Sequence, residues 1–168
     1  MFILLVLFVI GVATTTATST ASPLDGAWKL DRSRDVGSMD SLLEAMGVDY
    51  FTRLAVATLD MTDQYTVRPT EFYMQRYTAI RNTEQRFRVN VAEEVQDPLL
   101  GPVHSMVRVS EDLDRVMVTM TRPRDQAIFI SLRHIVARSN PPMISCTMNF
   151  TLPNGGARTS CVRYFVKK

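Results

Sequence analysis

The chain has 168 residues and a formal net charge of +2, and these values limit its class before any motif is considered. Its length fits one domain or slightly more. Its composition, with 46% hydrophobic and 21% charged residues, is ordinary for a soluble globular protein. The nearly balanced charge argues against a dedicated nucleic-acid binder. Most basic residues are arginines. Because arginine stays charged when desolvated and binds carboxylates with paired hydrogen bonds, a buried arginine is a candidate anion anchor.

The N-terminus has the pattern of a secretory signal peptide. The first 13 residues are apolar but too few to span a membrane comfortably, and small and hydroxyl residues follow up to Ala21. We therefore predict a signal peptide over residues 1–21, with cleavage after Ser19 or Ala21, and a mature domain over residues 22–168. The alternative is an uncleaved anchor. A signal peptide predicts a secreted, extracellular protein.

Two short helical patterns follow a first strand that begins at Ala27. Ser38 or Asp40 can cap a helix that ends at Gly47, and its apolar residues recur at spacings of three and four. A second helix starts at Val48. Its apolar residues are Phe51, Leu54, Ala55 and Leu59. The two patterns predict a helix-turn-helix near the start of the mature chain.

After Asp60 the chain changes to short segments rich in β-branched and aromatic residues, separated by turn-prone stretches. The predicted strands are 65–67, 71–79, 85–91, 105–109, 115–121, 127–136, 143–151 and 157–166. Many short strands at near-regular spacing favour an antiparallel barrel or sandwich. Both helices precede these strands, so they are not crossovers of a parallel sheet. A closed barrel can enclose a cavity, and the helix pair then fits as a lid over one end.

Five features occur in the order in which a known family has them. They are G-x-W-K-L at residues 26–30, G-V-x-x-x-x-R at 47–53, N-T-E-x-x-F at 82–87, Arg133 on a late strand and Arg163 on the last strand. Together they make the chain resemble the intracellular fatty-acid-binding proteins, the family that includes the cellular retinoid carriers. The resemblance covers essentially the whole mature chain.

The resemblance implies an all-β fold, a closed antiparallel ten-stranded β-barrel of the β-clam, calycin-like type, with a helix-turn-helix lid near the N-terminus. It implies a carrier that binds a long-chain fatty acid or a retinoid-like lipid non-covalently in the barrel. The implied protein is a monomer, not an enzyme, with no cofactor or metal, no nucleic-acid partner and at most transient membrane contact. The signal peptide favours the secreted branch of the family known from roundworms.

The resemblance also implies a ligand site around two arginines. Removing an unpaired guanidinium from water costs several kcal/mol, and a fatty-acid carboxylate would supply the missing partner to Arg133 and Arg163. Phe165 stands where the family has a tyrosine, so the aromatic ring stays on the face of Arg163 but a hydroxyl donor is lost. The candidate wall or lid contacts, for which ordinary core packing is the alternative, are Leu42, Leu43, Met46 and Ile144.

The predicted strand 127–136 cannot place both Arg133 and all of the strand's apolar residues inside the barrel. Side chains alternate across a strand, so Ile128, Ile130 and Leu132 would then form an apolar row on the barrel exterior. Such a row needs a cover or a partner. Either the predicted register is off by one residue, or the row is a contact surface.

The last hairpin holds two candidate covalent sites. Cys146 and Cys161 are the only cysteines, and the oxidising secretory route makes them a candidate disulfide. A turn centred between Pro153 and Asn154 places them opposite each other, whereas a centre one residue later places them diagonally. The alternative is two buried free thiols. Asn149 opens an N-F-T sequon and is a candidate glycosylation site.

Three other classes of protein remain as alternatives. A lipocalin is also secreted and starts with G-x-W, but two helices do not follow its first strand directly. A hydrolase would use His104 or His134, yet neither lies in a recognisable nucleophile motif. The third class is a secreted structural or interaction protein with a filled barrel.

Overall fold

The computed structural model describes residues 21–153, 156 and 158–168. The predicted signal peptide therefore lies outside the described residues, except for its last residue. The strands are β1 (Gly26–Val36), β2 (Met61–Val67), β3 (Glu71–Thr78), β4 (Thr83–Arg88), β5 (Ala92–Asp97), β6 (Gly101–Val109), β7 (Arg115–Arg122), β8 (Ala127–Ile135), β9 (Met143–Thr151) and β10 (Arg158–Lys167). Helices α1 (Met39–Ala45) and α2 (Tyr50–Thr58) lie between β1 and β2. Across these ranges, no helix is long and apolar enough to cross a membrane.

All ten strands form one antiparallel sheet in the order β4-β3-β2-β1-β10-β9-β8-β7-β6-β5. The sheet curls into a nearly closed barrel, in which β1 and β10 pair although they stand at opposite ends of the chain. Between β4 and β5, which are both described in full, there is no backbone ladder. Arg88 on β4 donates to Glu93 on β5 across this gap, and an isolated bridge joins Val89 to Val107 on β6. The predicted ten-stranded barrel is confirmed, with one seam that has no backbone ladder.

β5 is the strand that the sequence patterns do not predict. Its residues include Glu93, Glu94 and Asp97, and acidic residues are depleted in strands. It lies at the edge of the sheet, where it pairs with β6 alone. Charged residues are tolerated at such an edge and block further pairing. The strand therefore exists because of its place in the barrel and not because of its propensity.

The packed end of the barrel lies where β1 begins. Trp28 is 1% exposed, and its indole N–H donates to the carbonyl of Leu24 at 2.8 Å. The ammonium of Lys167 lies 4.5 Å from the centre of the indole ring, within cation–π range. β1 then runs away from this end to α1, so the helices cover the opposite end of the barrel.

Helix α1 is capped and anchored by specific side chains. Ser38 accepts a hydrogen bond from the amide of Ser41 at the N-terminus, and Gly47 has a φ of +83° after the last turn, as predicted for a glycine that ends a helix. Arg122 is 5% exposed and donates to the carbonyl of Met46 at 2.8 Å. This bond ties the end of α1 to the end of β7.

Helix α2 covers the barrel more loosely. Asp49 caps it by accepting from the amide of Thr52, but none of its residues is buried. Phe51 and Leu54 are 81% and 50% exposed, so these apolar residues do not face the barrel. Arg53 lies 2.7 Å from the carboxylate of Glu44 and holds α2 against α1.

Candidate functional site

A cavity lies inside the barrel beneath the helices. The cavity has a volume of about 120 Å³. Most of its wall is apolar, and residues such as Met61, Phe72, Phe87, Met120 and Phe129 contribute to it. Four charged side chains also line it: those of Arg76, Arg133 and Arg163, and that of Asp97, which accepts from the amides of Leu99 and Leu100. A wall of this kind suits a ligand with a long apolar body and an anionic end.

Most of the predicted site residues line this cavity. Leu42, Leu43 and Met46 form the inner surface of α1, and Phe165 lies on the inner face of β10. Ile144 does not line the cavity. It is fully buried between its ladder neighbours on β8 and β10, so ordinary core packing, the alternative stated for it, describes this residue.

Arg133 projects inward from β8 and is 7% exposed. Its Nε donates to the hydroxyl oxygen of Tyr65 at 3.2 Å, Nη1 donates to Ser131 at 2.9 Å, and Nη2 lies 3.6 Å from the sulfur of Met74. A guanidinium has five N–H donors. In its contacts with described residues, Arg133 therefore keeps one free N–H on Nη1 and one on Nη2.

Beside Arg133 lies a buried ion pair that the sequence patterns did not predict. Asp63 is fully buried on β2, and Arg76 on β3 binds it through two hydrogen bonds of 2.8 Å each. Tyr65 donates its hydroxyl proton to Asp63 at 2.8 Å. Burial raises the pKa of Asp63, but the charge and hydrogen bonds of Arg76 outweigh it and hold this pKa below its ordinary value.

Arg163 on β10 already has a carboxylate partner. Its Nε donates to Asp35 at 3.1 Å. Asp35 reaches this position because β1 bulges: between two paired positions β1 advances five residues, from Asp31 to Val36, while β10 advances two. The bulge ends at Gly37, where φ is +80° and an added Cβ would lie 2.8 Å from a backbone oxygen of β10.

Comparisons with known proteins were made by sequence and by structure. No protein-family model and no curated protein sequence matches the chain. Solved structures do match it. Fatty-acid-binding protein 1 of Echinococcus granulosus is 17% identical with a TM-score of 0.64, covering 85% of this chain and 96% of that one. The Schistosoma mansoni fatty acid binding protein, in complex with arachidonic acid, is 16% identical with a TM-score of 0.66, covering 86% and 96%.

Lipid binding protein 8 of Caenorhabditis elegans is 14% identical, also with a TM-score of 0.66, and the match covers 86% of this chain and 94% of that one. The chain has the fold of the fatty-acid-binding proteins. This confirms, at the level of the fold, the resemblance given by the five sequence features. The three proteins are named as binding proteins.

The register of β8 in this fatty-acid-binding-protein fold resolves the conflict over its two faces. Phe129, Ser131 and Arg133 line the cavity, so the predicted inward register is correct. Ile128 and its neighbours Ile130 and Leu132 therefore lie on the barrel exterior, where Ile128 is 40% exposed and the other two are half-buried. The exterior apolar row is real.

The candidate disulfide is absent from the structure. Cys146 pairs with Arg163 and Cys161 pairs with Met148, which is the second of the two predicted registers. The cysteines are therefore diagonal neighbours, and both are buried free thiols. In the described ranges, no group of three or more His, Cys, Asp or Glu side chains is placed to hold a metal ion.

We expect both cysteines to be thiols in the purified protein as well. Burial, followed by the proximity of Cys146, raises the pKa of Cys161 to about 11, so at neutral pH it is protonated and a poor nucleophile. Alkylation without reductant should add two labels in denaturant and none under native conditions. Intact mass measures this, and an unlabelled denatured protein would show that a bridge forms.

Proposed function

We propose that the chain is a carrier that binds a long-chain fatty acid non-covalently inside its barrel. The observation that carries the proposal is Arg133, a buried guanidinium in a mostly apolar cavity with no carboxylate within 4.0 Å among the described residues. A fatty-acid carboxylate matches its two remaining N–H groups. The acyl chain would contribute about 0.8 kcal/mol for each CH₂ that it buries.

The other classes of protein account less well for this arrangement. A filled barrel would leave no cavity beneath the helices. A hydrolase would need a nucleophile beside a general base. Ser131 lines the cavity, but its hydroxyl accepts from Arg133 at 2.9 Å, and His134 contacts Ser145 on the outward-facing positions of β8 and β9. A carrier of neutral lipids, such as a retinol, would leave Arg133 buried without a counter-charge.

The test compares two ligands that differ only in the head group. The delipidated protein is titrated with oleate and with oleyl alcohol, using displacement of a fluorescent lipid as the readout. We expect saturable binding of one molecule, with oleate bound about tenfold or more tightly than the alcohol, because hydrogen bonds to charged groups contribute about 1.5–3 kcal/mol. Equal affinities would remove the argument for a fatty acid, and no binding of either lipid would overturn the carrier function.

The carrier is proposed to act outside the cell. The apolar segment at the N-terminus and the Asn149 sequon support this. Asn149 is half-buried on an outward-facing position of β9, between Ile130 and Ser160. Expression in a eukaryotic secretory system should deliver the protein to the medium with its N-terminus at residue 20 or 22. A full-length chain kept in the cell would contradict this, and a mass loss on glycosidase treatment would show use of Asn149.

Ligand delivery is proposed to involve a monomer and only transient membrane contact. The exposed side chains of Tyr50, Phe51 and Leu54 on α2 support brief contact with a lipid surface. The acidic residues of the helix-turn-helix, residues 38–60, oppose stable docking to anionic lipids. They are Asp40, Glu44, Asp49 and Asp60.

A further inference from the structure

The three arginines of the cavity differ in the charges that they face. Arg163 donates to Asp35, and Arg76 donates twice to Asp63, so each of these two guanidinium groups already has a carboxylate partner. The contacts of Arg133 in the described chain are two hydroxyl oxygens and one sulfur atom, all uncharged. A ligand carboxylate would therefore have to displace a directly bonded carboxylate at two of the arginines, whereas at Arg133 Asp63 acts only from behind the hydroxyl of Tyr65.

Tyr65 is the residue that fixes the direction of this free guanidinium. Its hydroxyl accepts from Nε of Arg133 and donates to Asp63, which Arg76 holds from the other side. A chain of hydrogen bonds therefore runs from Arg76 on β3, through Asp63 and Tyr65 on β2, to Arg133 on β8 across the barrel interior. The rings of Tyr65 and Phe72 lie 5.6 and 5.9 Å from the guanidinium carbon of Arg133, within cation–π range. This arrangement leaves the free N–H groups on the two Nη atoms.

The hydroxyl of Tyr65 also stays in the state that this arrangement needs. Burial and the neighbouring charge of Asp63 raise the pKa of Tyr65 well above its ordinary value. The phenol is therefore protonated at any physiological pH, and its single proton is donated to Asp63 at 2.8 Å. Its oxygen can then act only as an acceptor towards Arg133.

We propose that Tyr65, assisted by Ser131, positions Arg133 for the ligand's carboxylate, and that the head group binds between β2 and β8 and not at the last strand. On the last strand Phe165 has no hydroxyl, and Arg163 is already paired with Asp35. This inference rests on the proposed function and refines it. The ligand class is a lipid with one carboxylate, because Arg133 alone offers two free N–H groups on a guanidinium that no carboxylate of the described residues contacts.

The decisive variant is Tyr65→Phe, which keeps the ring and removes only the hydroxyl. We expect the affinity for oleate to fall about 3- to 10-fold and the affinity for oleyl alcohol to stay within about twofold, because the loss of one orienting hydrogen bond affects only the charged head group. A purely structural role would lower both affinities together. The matched control is Tyr77→Phe, which removes an exposed hydroxyl bound to Gln75 and should change neither affinity.

Two further variants test where the head group lies. Phe165→Tyr restores a hydroxyl to the last strand, and Asp35→Asn removes the internal carboxylate from Arg163. Asp35→Asn should leave the affinity for oleate within about twofold of the wild type, and Phe165→Tyr, whose side chain lines the cavity, should not raise that affinity. If the carboxylate instead binds at Arg163, either change should raise that affinity about tenfold, because a charged hydrogen bond is gained or a competing charge is lost. That result would overturn the inference.

The outcomes separate this inference from the proposed function. An unchanged ratio of oleate to alcohol affinity in Tyr65→Phe would overturn the role of Tyr65 while leaving a fatty-acid carrier intact. If Tyr65→Phe does not fold, Ser131→Ala removes the other oxygen bonded to Arg133 and should lower the same ratio. A wild-type protein that binds neither lipid would overturn the carrier function itself.

Discussion

Replacing Arg133 by methionine should lower the affinity for oleate by about 10- to 150-fold, the largest change in binding expected from one substitution in the cavity. The reason is the loss of charge-assisted hydrogen bonds, which contribute about 1.5–3 kcal/mol. Oleyl alcohol has no charge to lose and should bind the variant as well as it binds the wild type. Titration of both lipids at neutral pH gives the two affinities.

The same variant should not destabilise the ligand-free protein. Arg133 is buried without a carboxylate partner in the described chain, and methionine fills a similar volume, so the free energy of unfolding should stay equal or rise. Arg86→Met is the matched control. Arg86 is 71% exposed and forms a surface ion pair with Glu71, so its replacement should affect neither stability nor binding by more than about 1 kcal/mol. A large loss of stability in Arg133→Met would assign Arg133 to the fold and not to a ligand.

Asp63→Asn should lower the free energy of unfolding by about 1.5–3 kcal/mol at pH 7. The change removes a fully buried carboxylate and leaves Arg76, whose side chain is 33% exposed and can be partly solvated, facing a neutral amide. Urea denaturation of the ligand-free proteins measures the difference. The control is Glu71→Gln, which breaks the exposed pair with Arg86 and should cost no more than about 1 kcal/mol.

The pH dependence of this difference has a definite sign. The pKa of Asp63 in the folded protein is lower than its value in an unfolded chain, which is about 3.9. The ionised carboxylate therefore contributes its full stabilisation above the unfolded pKa, and the contribution is lost as pH falls through the folded pKa. The wild type and Asp63→Asn should differ most near neutral pH and converge below about pH 4. A difference that is constant from pH 7 to pH 3 would contradict an ionised Asp63.

The fold could be predicted from the sequence because its signals are local or lie at fixed spacings. The cap at Ser38, the stop at Gly47 and the alternation along β8 each follow from neighbouring residues, and all three are confirmed. β5 could not be predicted in this way, since its acidic residues resemble a loop. Only the pairing with β6 makes it a strand, and pairing is a property of the whole sheet.

The site can be predicted less completely, for two physical reasons. The sequence pattern predicts a strand that begins at Tyr65, whereas β2 begins four residues earlier and places Asp63 on the same buried face as Tyr65. If the predicted strand is extended back to Met61, alternation places the acidic Asp63 on the inward face. Asp35 is different: it reaches Arg163 through a bulge, and no periodicity indicates where a bulge will direct a side chain.

The unequal attachment of the two helices has a consequence for how the barrel opens. α1 is fixed to the end of β7 by the buried Arg122, whereas α2 has no buried residue and is held through its own Arg53, which pairs with Glu44 and Asp40 of α1. Gly47, at the junction, has the backbone freedom of a hinge. Amide hydrogens of α2 should therefore exchange with solvent much faster than those of α1. The exchange rate of α2 would then set an upper limit on how fast any guest leaves by this route.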